Sequence, residues 1–380
     1  MKIAIIAPTY LPALRANTIQ VMKMAQAMAV LGHEVRVAVP GAPRVTWNEI
    51  SRHYGLHEEM NIEWLPIRNS LRRYDYGITG LKWAKAWEAD LLYTRLPQAA
   101  AFGSWSGLPT VFEVHDLPRS TSGKLLFRSF LRGNEARKII VISTSLAHDL
   151  VDEFSFPANG AQLLVAPDGV DLARYENVLS IEHAREKLAQ DYDFHLEQSR
   201  MVIGYTGHLY AGRGVAMMLE MAAMLPEHTF LIVGGDPGTV VKIKELVSSR
   251  MLGNVILTGF VPNAEVPVYQ FACNALMMPY QRHVAASSGG DISRYLSPMK
   301  LFEYLACERP ILSSDIPVLR EVLDPEIALL LPPDNINPWI KTLREIEAKP
   351  GEYRSFGEKA RAKAVSYTWE KRAEMILAGL

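Results

Sequence analysis

The chain has only two cysteines in 380 residues, Cys273 and Cys307, too few for a disulfide framework. Both stand in apolar runs, as buried thiols of a reducing compartment do. Charge of one sign is also missing. Forty Lys and Arg against 41 Asp and Glu leave a formal net charge of −1, so no field draws the chain toward nucleic acid. No uninterrupted apolar stretch approaches the roughly 20 residues of a spanning helix. The apolar start, Met1 to Ala7, meets Pro8 too early for a signal peptide and reads as a first buried strand. No His/Cys cluster has zinc spacing, and no short repeat or low-complexity tract appears. These absences predict a cytoplasmic protein without metal or other cofactor. Peripheral contact with a membrane surface stays open.

What is present is the composition of a folded globular chain, 49% hydrophobic and 21% charged. Its length exceeds one ordinary core, so two domains are expected. The first α/β system has strands at Ile3–Ala7, Glu34–Val39, Leu91–Thr94, Thr110–Val114, Ile139–Ser143 and Leu163–Ala166, with a helix from Thr18 to Leu31 ended by Gly32. The second has strands at Met201–Gly207, Thr229–Val233, Val255–Thr258, Ala275–Met278, Ile311–Ser313 and Ala328–Leu331. The alternation predicts two doubly wound parallel sheets, over 1–180 and 181–365, with a short amphipathic helix in 366–380. The polar stretch Leu179–Arg200 reads as the passage between them. Ligands of such sheets bind at the carboxyl ends of the strands.

The run Ser297 to Ala306 predicts a loop opening a short helix, with Ser297 as N-cap and Pro298 in the first turn. Free N–H groups at such a start seat an anion, and Glu303, about one turn on, is placed to accept hydrogen bonds from a diol. A phosphate seat beside a diol acceptor suggests a nucleotide. A second loop, Tyr205 to Gly214, follows a strand and precedes a helix. Its glycines, Gly207, Gly212 and Gly214, allow close backbone approach, and Arg213 supplies a fixed charge suited to a diphosphate.

These runs resemble the nucleotide-sugar signature of glycosyltransferase family 4, retaining enzymes of GT-B architecture, and the resemblance covers nearly the whole chain. It implies two Rossmann-like domains facing a cleft, the first for the acceptor and the second for the donor, with the terminal helix crossing back to the first. In the family the glutamate matching Glu303 holds the donor ribose. The family's arginine and lysine of the glycine loop fall on His208 and Arg213, so one fixed cation is kept and Lys300 is available as a second. The family's second carboxylate, which contacts the transferred sugar, falls on Tyr295. Backbone groups of Ser297, Pro298 and Met299 would face the phosphates. Phe260 and Val261, after the strand ending at Thr258, would meet the nucleobase. In the first domain the resemblance assigns His115 to the sugar and acceptor, and the adjacent Asp116 is placed to orient its ring or assist the acceptor. It also puts Asn17 or Arg15 near the acceptor in a loop that lacks the family's glycine pair.

The implied activity is metal-independent, retaining transfer of a hexose-type sugar from a nucleoside-diphosphate sugar to a hydroxyl acceptor. Arg213 and Lys300 would stabilise the leaving diphosphate as His115 and Asp116 act on the acceptor side. A sugar-nucleotide epimerase of the same architecture and a non-catalytic sugar-nucleotide-binding subunit are the alternatives. Asp191 and Asp193, a formal Asp-x-Asp, sit in a polar stretch and read as chance. The basic, apolar segment Lys124–Lys138 reads as a core-packing helix with a solvated face more readily than as a membrane contact. Glu308 stands where the family has a helix-ending glycine. A left-handed backbone there would cost on the order of 1 kcal/mol.

Overall fold

The computed structural model describes residues 1–156, 161–285 and 290–380. The chain divides into two compact units, Met1–Asp168 with Trp369–Leu380, and Gly169–Thr368.

The first unit is built on strands β1 (Lys2–Ile6), β2 (Glu34–Pro40), β3 (Asn61–Leu65), β4 (Leu91–Thr94), β5 (Thr110–Val114), β6 (Ala136–Val141) and β7 (Gln162–Val165). They pair in the order β3-β2-β1-β4-β5-β6-β7, all parallel. The central strands read as unbroken apolar runs because helices cover both faces: Ile3, Ala4, Ile5 and Ile6 are at most 1% exposed. β3 was not among the expected strands. It is an edge strand whose residues Asn61–Trp64 are exposed or half-buried, so its sequence carries no continuous apolar signal. The helix Trp369–Leu377 packs on the helix Ala16–Val30 of this unit. The buried Lys138 Nζ ties it down by donating to the carbonyls of Ile376 at 2.9 Å and Ala378 at 2.5 Å.

The second unit carries β8 (Val202–Thr206), β9 (Thr229–Val233), β10 (Val255–Gly259), β11 (Ala275–Met278), β12 (Ile311–Ser314) and β13 (Leu329–Leu331). Their order is β10-β9-β8-β11-β12-β13, again all parallel. Strand order switches direction between β1 and β4 in one sheet and between β8 and β11 in the other, the places where doubly wound sheets bind ligands. The segment expected to link the domains lies wholly in the second unit. Its helix Ile181–Tyr192 packs on the helix Val266–Phe271, burying Ala184 and Leu188. The Arg185 guanidinium, 2% exposed, donates to the carbonyls of Ala272, Glu197 and Gln198. A buried arginine spent on backbone carbonyls makes this a packed element, and the polar composition that suggested a linker belongs to its outer face.

Glu308 has φ of +55°, the left-handed backbone that its place after the helix suggested. The helix Pro350–Ala364 presses on this turn: a Cβ at Gly357 would lie 2.5 Å from the Glu308 carbonyl carbon. The turn is therefore held, and Glu308→Gly should stabilise the chain by about 1 kcal/mol in urea unfolding. An unchanged or lower midpoint would contradict this.

Candidate active site

The loop after β8 is shaped by its glycines. Gly207, Gly212 and Gly214 have φ of +120°, +81° and +84°. A Cβ at Gly212 would sit 2.0 Å from the His283 carbonyl oxygen, and one at Gly214 2.0 Å from that of Pro279. Two of the three glycines therefore serve close approach of the chain to its own segment 279–284. Gly207 differs: a Cβ there would lie 3.0 Å from Lys300 Cε and Nζ. The loop is closed by Tyr205, whose hydroxyl donates to the His208 carbonyl at 2.6 Å, and His208 stacks on Tyr210 with centroids 4.9 Å apart.

This packing brings two cations together. Arg213 Nη1 donates to the Tyr280 hydroxyl at 2.9 Å, and the guanidinium lies 5.2 Å from the Tyr280 ring centroid. Lys300 Nζ lies 3.4 Å from the Tyr205 centroid and 5.8 Å from that of Tyr280. Lys300 is 8% exposed. Arg213 Nε and Lys300 Nζ are buried with no hydrogen-bond partner. Burial first, then the neighbouring Arg213, push the Lys300 amine well below its ordinary pKa, with Glu303 pulling the other way. The sequence suggested a second fixed charge here. The structure gives a buried amine whose charge is disfavoured by burial and by Arg213, so a bound anion would favour its charged form.

Lys300 and Glu303 share the helix Met299–Leu305. Its N-cap position falls on Pro298, one residue later than expected, with no side-chain cap. Ser297 thus lies outside the helix. Proline has no N–H and Leu301 N donates to the Pro298 carbonyl, so the start offers the N–H groups of Met299 and Lys300 and not a run from Ser297. Glu303 is fixed by residues the sequence did not single out. Gln270 Nε2 donates to its Oε2 at 3.2 Å, and Arg174 Nη1 lies 3.9 Å from its Oε1. Gln270, fully buried, also donates to Thr206 and accepts from Tyr175. A carboxylate has about four lone-pair sites, so Glu303 keeps capacity for a diol. Tyr295 is buried, 5% exposed. Val261 packs into the core below β10, whereas Phe260 is 42% exposed.

In the first unit His115 follows β5 and is the one sequence-chosen residue at the heart of a charged cluster. Its Nε2 lies 2.5 Å from Glu113 Oε1. The same oxygen accepts from Arg372 Nη2 at 2.8 Å and Gln20 Nε2 at 2.7 Å. Arg95, just past β4, donates to Gln20 Oε1 at 2.8 Å. Asp168 completes the group, its pKa raised to about 7 by burial. Burial and then Arg95 lower His115 to about 4. Glu113 falls to about 2, because Arg372 and His115 outweigh its burial. Asp116 does not orient the ring; it accepts from Leu117 N at 2.8 Å and faces Arg119. The signal for this cluster was a glutamate inside the buried run Val111-Phe112-Glu113-Val114. Asn17 sits at the start of the helix Ala16–Val30, outside the cluster's hydrogen bonds, and accepts from Thr18.

Glu113, His115 and Asp168 form, among the described residues, the one group of three such donors able to converge on a cation. Guanidinium groups already supply positive charge there. Asp191 pairs with Lys187 and Asp193 with His195 on the surface. Asp236 caps the helix Pro237–Ser249, its Oδ1 accepting from Thr239 N at 3.0 Å. The helix Thr121–Arg132 buries Phe127, Phe130 and Leu131 and exposes Leu125, Arg128 and Arg132, a core-packing helix with a basic outer face. Among the described residues no helix is long and apolar enough to cross a membrane.

The model of "Glycosyltransferase Family 4" matches residues 18–174, and that of "Glycosyl transferases group 1" matches residues 189–363. TuaH of Bacillus subtilis, whose name assigns it to teichuronic acid biosynthesis, is 25% identical over 268 residues, 67% of this chain and 62% of its own. The chain thus spans about three fifths of that relative. Sucrose-phosphate synthase of Thermosynechococcus elongatus superposes with a TM-score of 0.74 at 19% identity, covering 99% of this chain and 97% of its own. HepE of Anabaena, solved with UDP, gives 0.71 at 17% identity, covering 99% and 98%, and has also been solved with UDP-glucose. The shared fold is GT-B.

A lysine whose pKa falls on folding is held less readily in its charged form by the folded chain, a cost that grows as pH falls below the free side chain's value. Lys300→Met should therefore stabilise the ligand-free chain by about 1–3 kcal/mol. Urea unfolding at pH 6 and pH 9 checks this. The gain should be larger at pH 6, and a destabilised variant at both would contradict it.

Proposed function

The chain belongs to the glycosyltransferases of family 4 type, and from that premise we propose that it moves a hexose from a nucleoside-diphosphate sugar to a hydroxyl acceptor with retention at the anomeric carbon. One observation carries the reading: two cations in the second unit, Arg213 and Lys300, have buried nitrogens without partners, and Glu303 stands one turn from Lys300 on the same helix. The pair suits a diphosphate, and the adjacent carboxylate suits the ribose diol.

In this reading the bond from the sugar's anomeric carbon to the diphosphate oxygen breaks, and the acceptor oxygen forms the new one. Negative charge grows on the departing phosphate, where Arg213 and Lys300 meet it without waiting for solvent to reorganise. The acceptor proton passes to that phosphate, which suits a second unit whose one carboxylate by the cations is tied to Gln270 and Arg174. His115 hydrogen-bonds a hydroxyl of the transferred sugar. UDP is the first nucleotide to try, since HepE, of the same fold, is solved with UDP. The acceptor class covers glycans, lipid-linked saccharides and small molecules.

A thermal-shift screen of nucleotide sugars tests the reading. The cognate donor at about 100 times its dissociation constant should add roughly 2.7 kcal/mol of stability, and Arg213→Ala and Glu303→Ala should each remove that gain. Proton NMR of the product should show the donor's anomeric configuration kept. A donor sugar converted without transfer would indicate an epimerase, and binding without turnover a non-catalytic subunit. Full transfer by Arg213→Ala would overturn the assignment.

A further inference from the structure

Glu113 is an anomaly in β5, a carboxylate 1% exposed on a strand of the central sheet. Its Oε2 is buried without a hydrogen-bond partner, and all three of its donors crowd onto Oε1: His115 Nε2 at 2.5 Å, Gln20 Nε2 at 2.7 Å and Arg372 Nη2 at 2.8 Å. Arg372 comes from the far end of the chain, 259 residues away. It is 3% exposed, and its Nε is spent on the carbonyls of Ala166 at 3.2 Å and Pro167 at 2.8 Å. The guanidinium is thus anchored on the end of β7 and aims one N–H at Glu113.

We propose that Arg372 is a positioning residue, which acts through Glu113 to hold the His115 ring in one orientation and one tautomer, with the proton on Nε2 and the lone pair on Nδ1. An ionised carboxylate only accepts, so the ring nitrogen facing Glu113 must carry hydrogen, and in the neutral ring Nδ1 is left as an acceptor. Arg372 keeps the carboxylate ionised inside the sheet, where an unpaired charge would be expensive. Without it the lone carboxylate would draw a proton onto the ring, and an imidazolium donates from both nitrogens and keeps no single tautomer. The C-terminal helix thereby becomes part of the site although it touches no substrate.

The charged groups around the ring are Glu113 on β5, Arg95 after β4, Asp168 after β7 and Arg372 on the terminal helix. Both arginines lower the ring's pKa and Glu113 raises it, so the variants should move the ring in opposite directions. Losing Arg372 raises its pKa from the wild-type value of about 4. Losing the Glu113 charge lowers it further. A loosened, solvated ring would instead titrate near the ordinary histidine value of about 6.5 in both variants.

The role rests on reading His115 as the sugar-facing histidine, but its test does not, because it needs no turnover. Long-range proton–nitrogen NMR of the full-length wild type, with His115 assigned by its loss in His115→Asn, should show a neutral ring at pH 7 protonated on Nε2. Arg372→Met should lose the single-tautomer signature and titrate higher, Arg372→Lys should restore the wild-type pattern in part, and Glu113→Gln should titrate lower. The double variant Glu113→Gln/Arg372→Met buries no lone charge, so it serves if either single variant fails to fold, and it should show a mixed tautomer. A wild-type ring protonated on Nδ1, or variants whose nitrogen shifts and titration match the wild type or sit together near the ordinary value, would overturn the proposal. If these results hold and no nucleotide sugar binds, the positioning stands and the transferase reading falls.

Discussion

Like charges buried side by side repel, and each loses its hydration; Arg213 and Lys300 accept both costs. They share the face of Tyr280, and Lys300 lies close over Tyr205. Ring faces offer some relief through their quadrupoles, but Lys300 Nζ and Arg213 Nε have no acceptor. The surrounding backbone is arranged to permit this. Gly207 leaves room for the lysine head, and Gly212 and Gly214 let the loop fold onto segment 279–284, which carries Tyr280. A site that stores an unmet demand for negative charge binds an anion with energy that folding did not use.

The first unit solves the opposite problem. There the buried charge is a carboxylate, Glu113, and one of its oxygens accepts three hydrogen bonds. Arg372 of the terminal helix and Arg95 just past β4 flank this cluster, and burial first, then Arg95, push the imidazole toward neutrality. One unit thus presents unpaired cations and the other a neutral ring with a fixed hydrogen-bonding sense. In the proposed transfer those suit a diphosphate leaving group and an uncharged sugar hydroxyl.

Much of the fold was legible in the chain because parallel strands covered on both faces spell themselves as continuous apolar runs. β3 escaped because it lies at an edge and alternates polar residues with half-buried ones. The helix Ile181–Tyr192 was mistaken for a connector because its buried arginine hides in a polar stretch. Arg213, Lys300 and Glu303 were legible because motif spacing is local: a loop and one turn of helix carry all three. Gln270, Arg174, Arg95, Asp168 and Arg372 were not, since each matters through partners 33 to 259 residues away. Asp116 was read as the ring's partner from adjacency alone, while the strand's alternation puts Glu113, two residues before His115, on the same side.

The storage of an unmet charge has a direct thermodynamic signature. If Lys300 is short of a proton in the free protein and regains it against a diphosphate, binding must take up protons from the buffer. Calorimetric titration of UDP-glucose, or of the nucleotide sugar that stabilises the chain best, in buffers of different ionisation enthalpy at pH 7 measures this. The account predicts net proton uptake of up to about one per bound nucleotide, absent in Lys300→Met. Binding whose enthalpy is the same in every buffer, or proton uptake that survives the loss of Lys300, would contradict it.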